Sequence, residues 1–211
     1  MSFQALFVER APETPLLSIW SFITDLGDTA VTVPLALLML CFLVAARRPR
    51  LAIGWAVAIL GCAGVIGGLK LVLDACGNPI AGAGLASPSG HAAMSAVVYG
   101  GFAAVIGANL AAPARAAVIA GAAALIIAMP LSRIVLHVHT PIEVVVGLVV
   151  GLAAVAIIVV TATIRGERLP VLWLAAAAIL VAMLFHRDRW PTERAIHHLA
   201  GWFDVLRPWC G

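Results

Sequence analysis

Four groups of residues in this chain have types and spacings that could do chemistry. They are Lys70, the run Ser87-Pro88-Ser89-Gly90-His91, the pair Ser132-Arg133, and His137 and His139 followed by Glu143. Lysine and arginine supply fixed positive charge for phosphoryl oxygens. A Ser-Gly turn entering an apolar run makes a helix N-terminus, which is a natural anion site, and Gly90 lets the backbone approach a ligand closely. Of two imidazoles, one can attack phosphorus while the other protonates the leaving oxygen. A carboxylate beside a histidine fixes its tautomer and stabilises charge on the ring. The set therefore points to attack on a phosphate. His137 and His139 are the nearest approach to a metal site, and two imidazoles without Cys or Asp partners make a weak one, so neither metal nor cofactor is expected.

Each residue also has a plainer role. Lys70 can snorkel to an interface or pair with Asp74 one turn on, and Arg133 can anchor a helix end. Thr140-Pro141-Ile142-Glu143 has the form of a capping box with Pro at the first helical position, and Ser87 or Ser89 can cap a helix. These roles explain the residues singly but leave their convergence unexplained.

The elements that must position them follow from hydropathy. Of the 211 residues, 63% are hydrophobic and 11% charged, and the mean hydropathy is +1.09. Soluble domains carry roughly 25% charged residues, so a disordered chain, a nucleic-acid-binding domain and an ordinary soluble domain are excluded. Uncharged stretches run over Thr29–Ala46, Leu51–Leu69, Ala92–Ala114, Ala116–Ser132, Val144–Ile164 and Leu169–Phe185. A helical span needs about 17–25 mostly apolar residues. The expected fold is an all-α membrane protein: a six-transmembrane-helix bundle over residues 29–186, flanked by interfacial segments at 1–28 and 187–211. In the first flank Leu16–Leu26 carries Trp20. In the second, Ile196, Leu199, Ala200, Phe203 and Leu206 recur at helical spacing among tryptophans.

With six spans, parity puts Lys70, Ser89, Gly90, His91, Arg133, His137, His139 and Glu143 on one face. The other face holds Arg47, Arg48, Arg50, Arg115, Arg165 and Arg168 against a single acid, Glu167. By the positive-inside rule the arginine-rich face is cytoplasmic, so the polar cluster and both termini face away from the cytoplasm. Cys41 and Cys62 fall inside spans as small apolar fillers. Cys76 and Cys210 fall on the non-cytoplasmic side, where an oxidising compartment favours a disulfide; two free thiols are the alternative.

At Pro88-Ser89-Gly90-His91 and at Ser132-Arg133, then His139 and Glu143, the chain resembles the type 2 phosphatidic acid phosphatase superfamily, the lipid phosphate phosphatases. That family reads Lys-x6-Arg-Pro, Pro-Ser-Gly-His and Ser-Arg-x5-His-x3-Asp. The second part matches fully, and the third matches with Glu143 in place of Asp. After Lys70 the chain has Gly77-Asn78-Pro79 instead of Arg-Pro, so Asn78 replaces a bidentate cation with a neutral amide. The resemblance implies that His139 is the nucleophile forming a phosphohistidine and that Glu143 orients it. His91 would be the general acid that later activates water, with Lys70, Ser89, Gly90 and Arg133 holding phosphate and no metal taking part. Asn78, Ser132 and His137 are accessory candidates, His137 being extra to the signature.

The expected partner is a membrane lipid phosphate in the bilayer, with phosphatidic acid, phosphatidylglycerol phosphate, isoprenyl diphosphates and phosphorylated lipid A all consistent. A bacterial inner membrane with the site facing the periplasm or exterior is the expected location. Two other functions use the same residues. One is a phosphotransferase passing the phosphoryl group to a second lipid; the other is a non-catalytic lipid-binding or transport protein with a decayed signature.

Overall fold

The computed structural model describes residues 15–76, 82, 84–162, 169–188, 190 and 192. These fold into helices α1 (Pro15–Asp25), α2 (Thr29–Ala45), α3 (Pro49–Ala75), α4 (Gly90–Ala108), α5 (Ala112–Val135), α6 (Pro141–Ala162) and α7 (Val171–Phe185), with no strand among the described residues. Five helical stretches are long and apolar enough to cross a membrane: Pro15–Ala45, α3, α4, α5 and α6. The first combines α1 and α2, which a turn at Leu26–Asp28 interrupts.

The expected sixth span is the short one. At 15 residues, α7 is about 22 Å long, less than the roughly 30 Å of a hydrocarbon core. Its flanks are nevertheless tied to opposite ends of the bundle. The Leu169 amide donates to Asn109 Oδ1 at 2.8 Å, and the Trp190 amide donates to Asp28 Oδ1 at 3.2 Å. Thr29 and Thr192 share a hydrogen bond at 2.7 Å beside the latter. The segment from 169 to 190 therefore traverses the bundle.

Helix boundaries depart from the uncharged runs where Pro and Asn intervene. The run Ala92–Ala114 is broken at Asn109, whose side chain bonds back to the Val105 carbonyl at 2.8 Å. α5 then starts at Ala112 with Pro113 in its first turn, which pre-sets φ where no amide partner is required. Arg115 thus lies inside α5 rather than in a loop. α3 continues past Leu69 to Ala75, so Lys70 is a helical residue with a fixed direction.

α4 is the hub, buried on nearly every side, and its alanines, glycines and serine let neighbours come close, as small residues do between membrane helices. The closest neighbour is α6. A Cβ at Gly147 would collide with the Ser89 carbonyl, and one at Gly151 with the Ala93 carbonyl and the Ala96 methyl. This Gly147-x3-Gly151 pair seats α6 directly against the first turns of α4, where the second and third motifs must meet. Trp55 of α3 donates its indole N–H to the Ala36 carbonyl of α2 at 2.9 Å and packs edge-on against Phe102 of α4, closing the core between these three helices.

Candidate active site

The site lies at the bundle end where α3 and α5 finish and α4 and α6 begin. Ser89 caps α4, its hydroxyl accepting from the Ala92 amide at 3.3 Å, so the first amides of α4 form the positive end of a helix dipole. Thr140 and Glu143 form the capping box of α6. The Thr140 amide donates to Glu143 Oε2 at 3.1 Å, and the Glu143 amide donates to the Thr140 hydroxyl at 3.3 Å.

Glu143 does more than cap. It is 5% exposed, and the oxygen that closes the box also accepts from His139 Nδ1 at 2.9 Å. Its other oxygen accepts from the Ala86 and Ser87 amides at 3.0 and 2.7 Å. One carboxylate therefore orients the histidine, ends a helix and pins the loop that carries Ser89-Gly90-His91. The backbone reinforces the junction, since the Ser89 amide donates to the Glu143 carbonyl at 3.0 Å. The same side chain thus both caps α6 and hydrogen-bonds His139.

The spacing between Arg133 and His139 has a backbone cause. α5 ends in a Schellman turn: the His137 amide bonds to the Ile134 carbonyl and the Val138 amide to the Arg133 carbonyl, each at 3.0 Å. His137 takes the left-handed position, φ 55°, that glycine usually fills. The chain thereby doubles back, and the His139 amide also reaches the Arg133 carbonyl, at 3.3 Å.

A cavity of about 730 Å³ opens onto this junction. Its lining includes the polar Lys70, His91, Arg133, Thr24, Asp25 and Asp28 and the apolar Val33, Ala63, Ile66 and Met94. Lys70 is 4% exposed, and the position a Cβ would take on Gly90 is 4.0 Å from its Nζ. Arg133 Nη1 donates to the Thr24 hydroxyl at 2.9 Å, which ties α1 to the site.

His139 is not part of the cavity lining, and its side chain is 8% exposed. Burial lowers its pKa below the usual histidine value, and the positive charges of Arg133 and Lys70 push the same way, against the hydrogen bond and charge of Glu143. With Nδ1 donating to Glu143, Nε2 carries the lone pair.

The remaining candidates fall elsewhere. Ser89 is fully buried with its hydroxyl engaged by the cap, so it serves the anion site through the helix end. Ser132 is buried and bonds back to the Met129 carbonyl at 2.6 Å, outside the cavity lining. His137 is exposed, its Nδ1 on the Ile134 carbonyl at 3.1 Å, and does not line the cavity either. Asn78 lies outside the described residues. Cys76 is disulfide-bonded, while Cys41 and Cys62 are free thiols; Cys210 lies outside the described residues. No group of three or more His, Cys, Asp or Glu placed to hold a metal ion occurs among the described residues.

Asp28 was not among the sequence candidates. It caps α2, accepting from the Ala30 amide at 2.9 Å, and its second oxygen lies 3.6 Å from His91 Nε2. The available signal was an acid immediately before an apolar run, an N-cap pattern; its partner on α4 is invisible at that range.

Long apolar helices with clustered cations and buried histidine–carboxylate contacts at one end define an integral membrane protein with a polar site at a helix-bundle mouth. The family model of the PAP2 superfamily matches residues 70–167, and over that stretch, from Lys70 through α6, the chain is similar to this superfamily. No curated protein and no solved structure matches the chain.

Proposed function

We propose that the protein is a membrane phosphatase that hydrolyses a lipid phosphate or diphosphate through a phosphohistidine, without a metal. The observation that carries this is His139, held by Glu143 at Nδ1 and under the positive charge of Arg133 and Lys70, two residues that line a cavity with both polar and apolar walls. Lys70 and Arg133 bind the phosphoryl oxygens together with the first amides of α4. His139 Nε2 attacks phosphorus and the P–O bond to the lipid breaks. His91, as imidazolium, gives its proton to the leaving oxygen. Water then attacks phosphorus as its proton passes to neutral His91, the P–N bond breaks to return the lone pair to His139 Nε2, and inorganic phosphate leaves.

The apolar wall supports a lipid. From Lys70 back to Ala63 along α3 is about 10 Å at 1.5 Å per residue, enough to seat the first carbons of an acyl or isoprenyl chain. α7 serves as the sixth span, short but tied at both bundle ends. The arginine-rich end then faces the cytoplasm and the site faces the other compartment, the periplasm if this is a bacterial inner membrane. A disulfide at Cys76, on the site side, agrees with an oxidising compartment.

The test is phosphate release by purified protein in detergent micelles from phosphatidic acid, phosphatidylglycerol phosphate and undecaprenyl diphosphate, with and without EDTA. Release that survives EDTA is expected, and mass spectrometry should find each lipid short of one phosphoryl group and no lipid that has gained one. Absence of release from all three, with retained phosphate binding, would favour the non-catalytic reading.

Gly90 offers a finer test. An alanine methyl there would sit 3.9 Å from Ile66 Cγ2 and 4.0 Å from Lys70 Nζ, ordinary contact distances that leave the fold intact. It would occupy space between the helix end and the ammonium. Gly90→Ala should therefore keep its melting temperature and raise KM roughly tenfold or more through misplaced phosphate.

A further inference from the structure

We propose that Asp28 is a positioning residue for His91, so that each histidine of the reaction has its own carboxylate. The role rests on the phosphatase reading above and adds to it a residue that lies outside the matched family segment.

The geometry divides the labour of the carboxylate. Oδ1 is held by the Ala30 amide at 2.9 Å, the Trp190 amide at 3.2 Å and the Thr29 hydroxyl at 3.4 Å. Oδ2 is turned to His91 Nε2 at 3.6 Å, an ion-pair distance, and the residue is 7% exposed. The turn that carries Asp28 is itself fixed. Tyr99 of α4 donates its hydroxyl to the Leu26 carbonyl at 2.6 Å, and Gly27 packs so tightly on Met129 of α5 that a Cβ there would strike its sulfur. An N-cap needs only one carboxylate oxygen; the second is directed into the cavity, where His91 lies.

The charged groups around His91 come from every neighbouring helix. Lys70 of α3 and Arg133 of α5 favour the neutral ring. Asp28 of α2 and Asp25 of α1, both on the cavity wall, favour the imidazolium, as does Glu143 beyond His139. Asp28 lies in ion-pair contact with His91. It keeps the imidazolium populated against the two cations and holds Nε2, leaving Nδ1–H to deliver its proton to the lipid oxygen as the P–O bond breaks. The neutral ring then accepts a proton from the attacking water, and the pair returns to its starting state.

The test uses Asp28→Asn, which keeps an amide oxygen for the α2 cap and loses the charge. Asp28→Ser, an equally good cap, guards against a folding failure of the first. NMR titration of His91 in detergent micelles, assigned with His91→Gln, should show its pKa lowered by about one unit in the variant, since a neighbouring opposite charge shifts a pKa on that order. The alkaline limb of the kcat profile should move to lower pH by a similar amount. On an alkyl phosphate kcat should fall roughly tenfold to a hundredfold, within the range of a general-acid contribution. On p-nitrophenyl phosphate, whose nitrophenolate leaves without protonation, the loss should be no more than about threefold.

An unchanged His91 titration and alkaline limb, or equal losses on the two substrates, would make Asp28 a helix cap only. A wild-type protein that hydrolyses neither phosphate overturns the phosphatase reading, and this role with it.

Discussion

Replacing His139 with alanine should stop turnover, with phosphate release falling by about 10⁴-fold or more, the scale on which covalent catalysis fails when its nucleophile is lost. The protein should remain folded, because Glu143, the ring's hydrogen-bond partner, keeps three backbone donors. A brief incubation of wild type with ³²P-labelled substrate and an acid-free quench should leave label on the chain, and His139→Ala should leave none. Residual turnover at wild-type rate would remove His139 from the reaction. The acid limb of kcat/KM gives a second reading of the same residue. The ring must be neutral to attack, and its pKa is held below the usual value of 6.5, by burial first and then by Arg133 and Lys70. Activity should therefore rise with pH through a point below 6.5 and be complete by neutrality.

Glu143→Asp carries the second large effect, and its direction is against the family pattern. Aspartate is the superfamily's residue at this position, but here the helix fixes the Cα, and the shorter side chain withdraws the carboxylate by about 1.5 Å. One carboxylate now serves His139 Nδ1 and the Thr140, Ala86 and Ser87 amides. It cannot retract and keep them all. A displacement of this size at a positioning group costs on the order of a hundredfold in kcat. Glu143→Gln should cost more, about 10³ to 10⁴, because a neutral amide no longer selects the productive tautomer. Steady-state kinetics on a single substrate rank the three proteins, and an Asp variant as fast as wild type would show that the loop carrying Ser89 moves with the carboxylate.

Much of the site was legible because its chemistry is local. The Thr140–Glu143 box, the four-residue step from His139 to Glu143 and the Ser89 cap are all contacts made within one turn, which spacing alone exposes. The bundle was legible for a different reason: hydropathy reports burial in lipid whatever the packing. What could not be read was whatever depended on two helices meeting. Asp28 looks like the last residue of a flank, and only the approach of α2 to α4 gives it His91. His137 shares the signature's neighbourhood, yet the left-handed turn after α5 sends it outward. Boundaries slipped where a break carries no charge, as at Asn109, since an uncharged run is indifferent to whether it is one helix or two.

The latch between Asp28 and Trp190 ties the site to the order of synthesis. Lys70, His91, Arg133 and His139 all precede α7 in the chain. The Trp190 amide that helps set the Asp28 carboxylate is made only after α7. A nascent chain without that amide still holds the Asp28 carboxylate through the Ala30 amide and the Thr29 hydroxyl. Synthesis through Trp190 therefore adds the third donor to a carboxylate already facing His91.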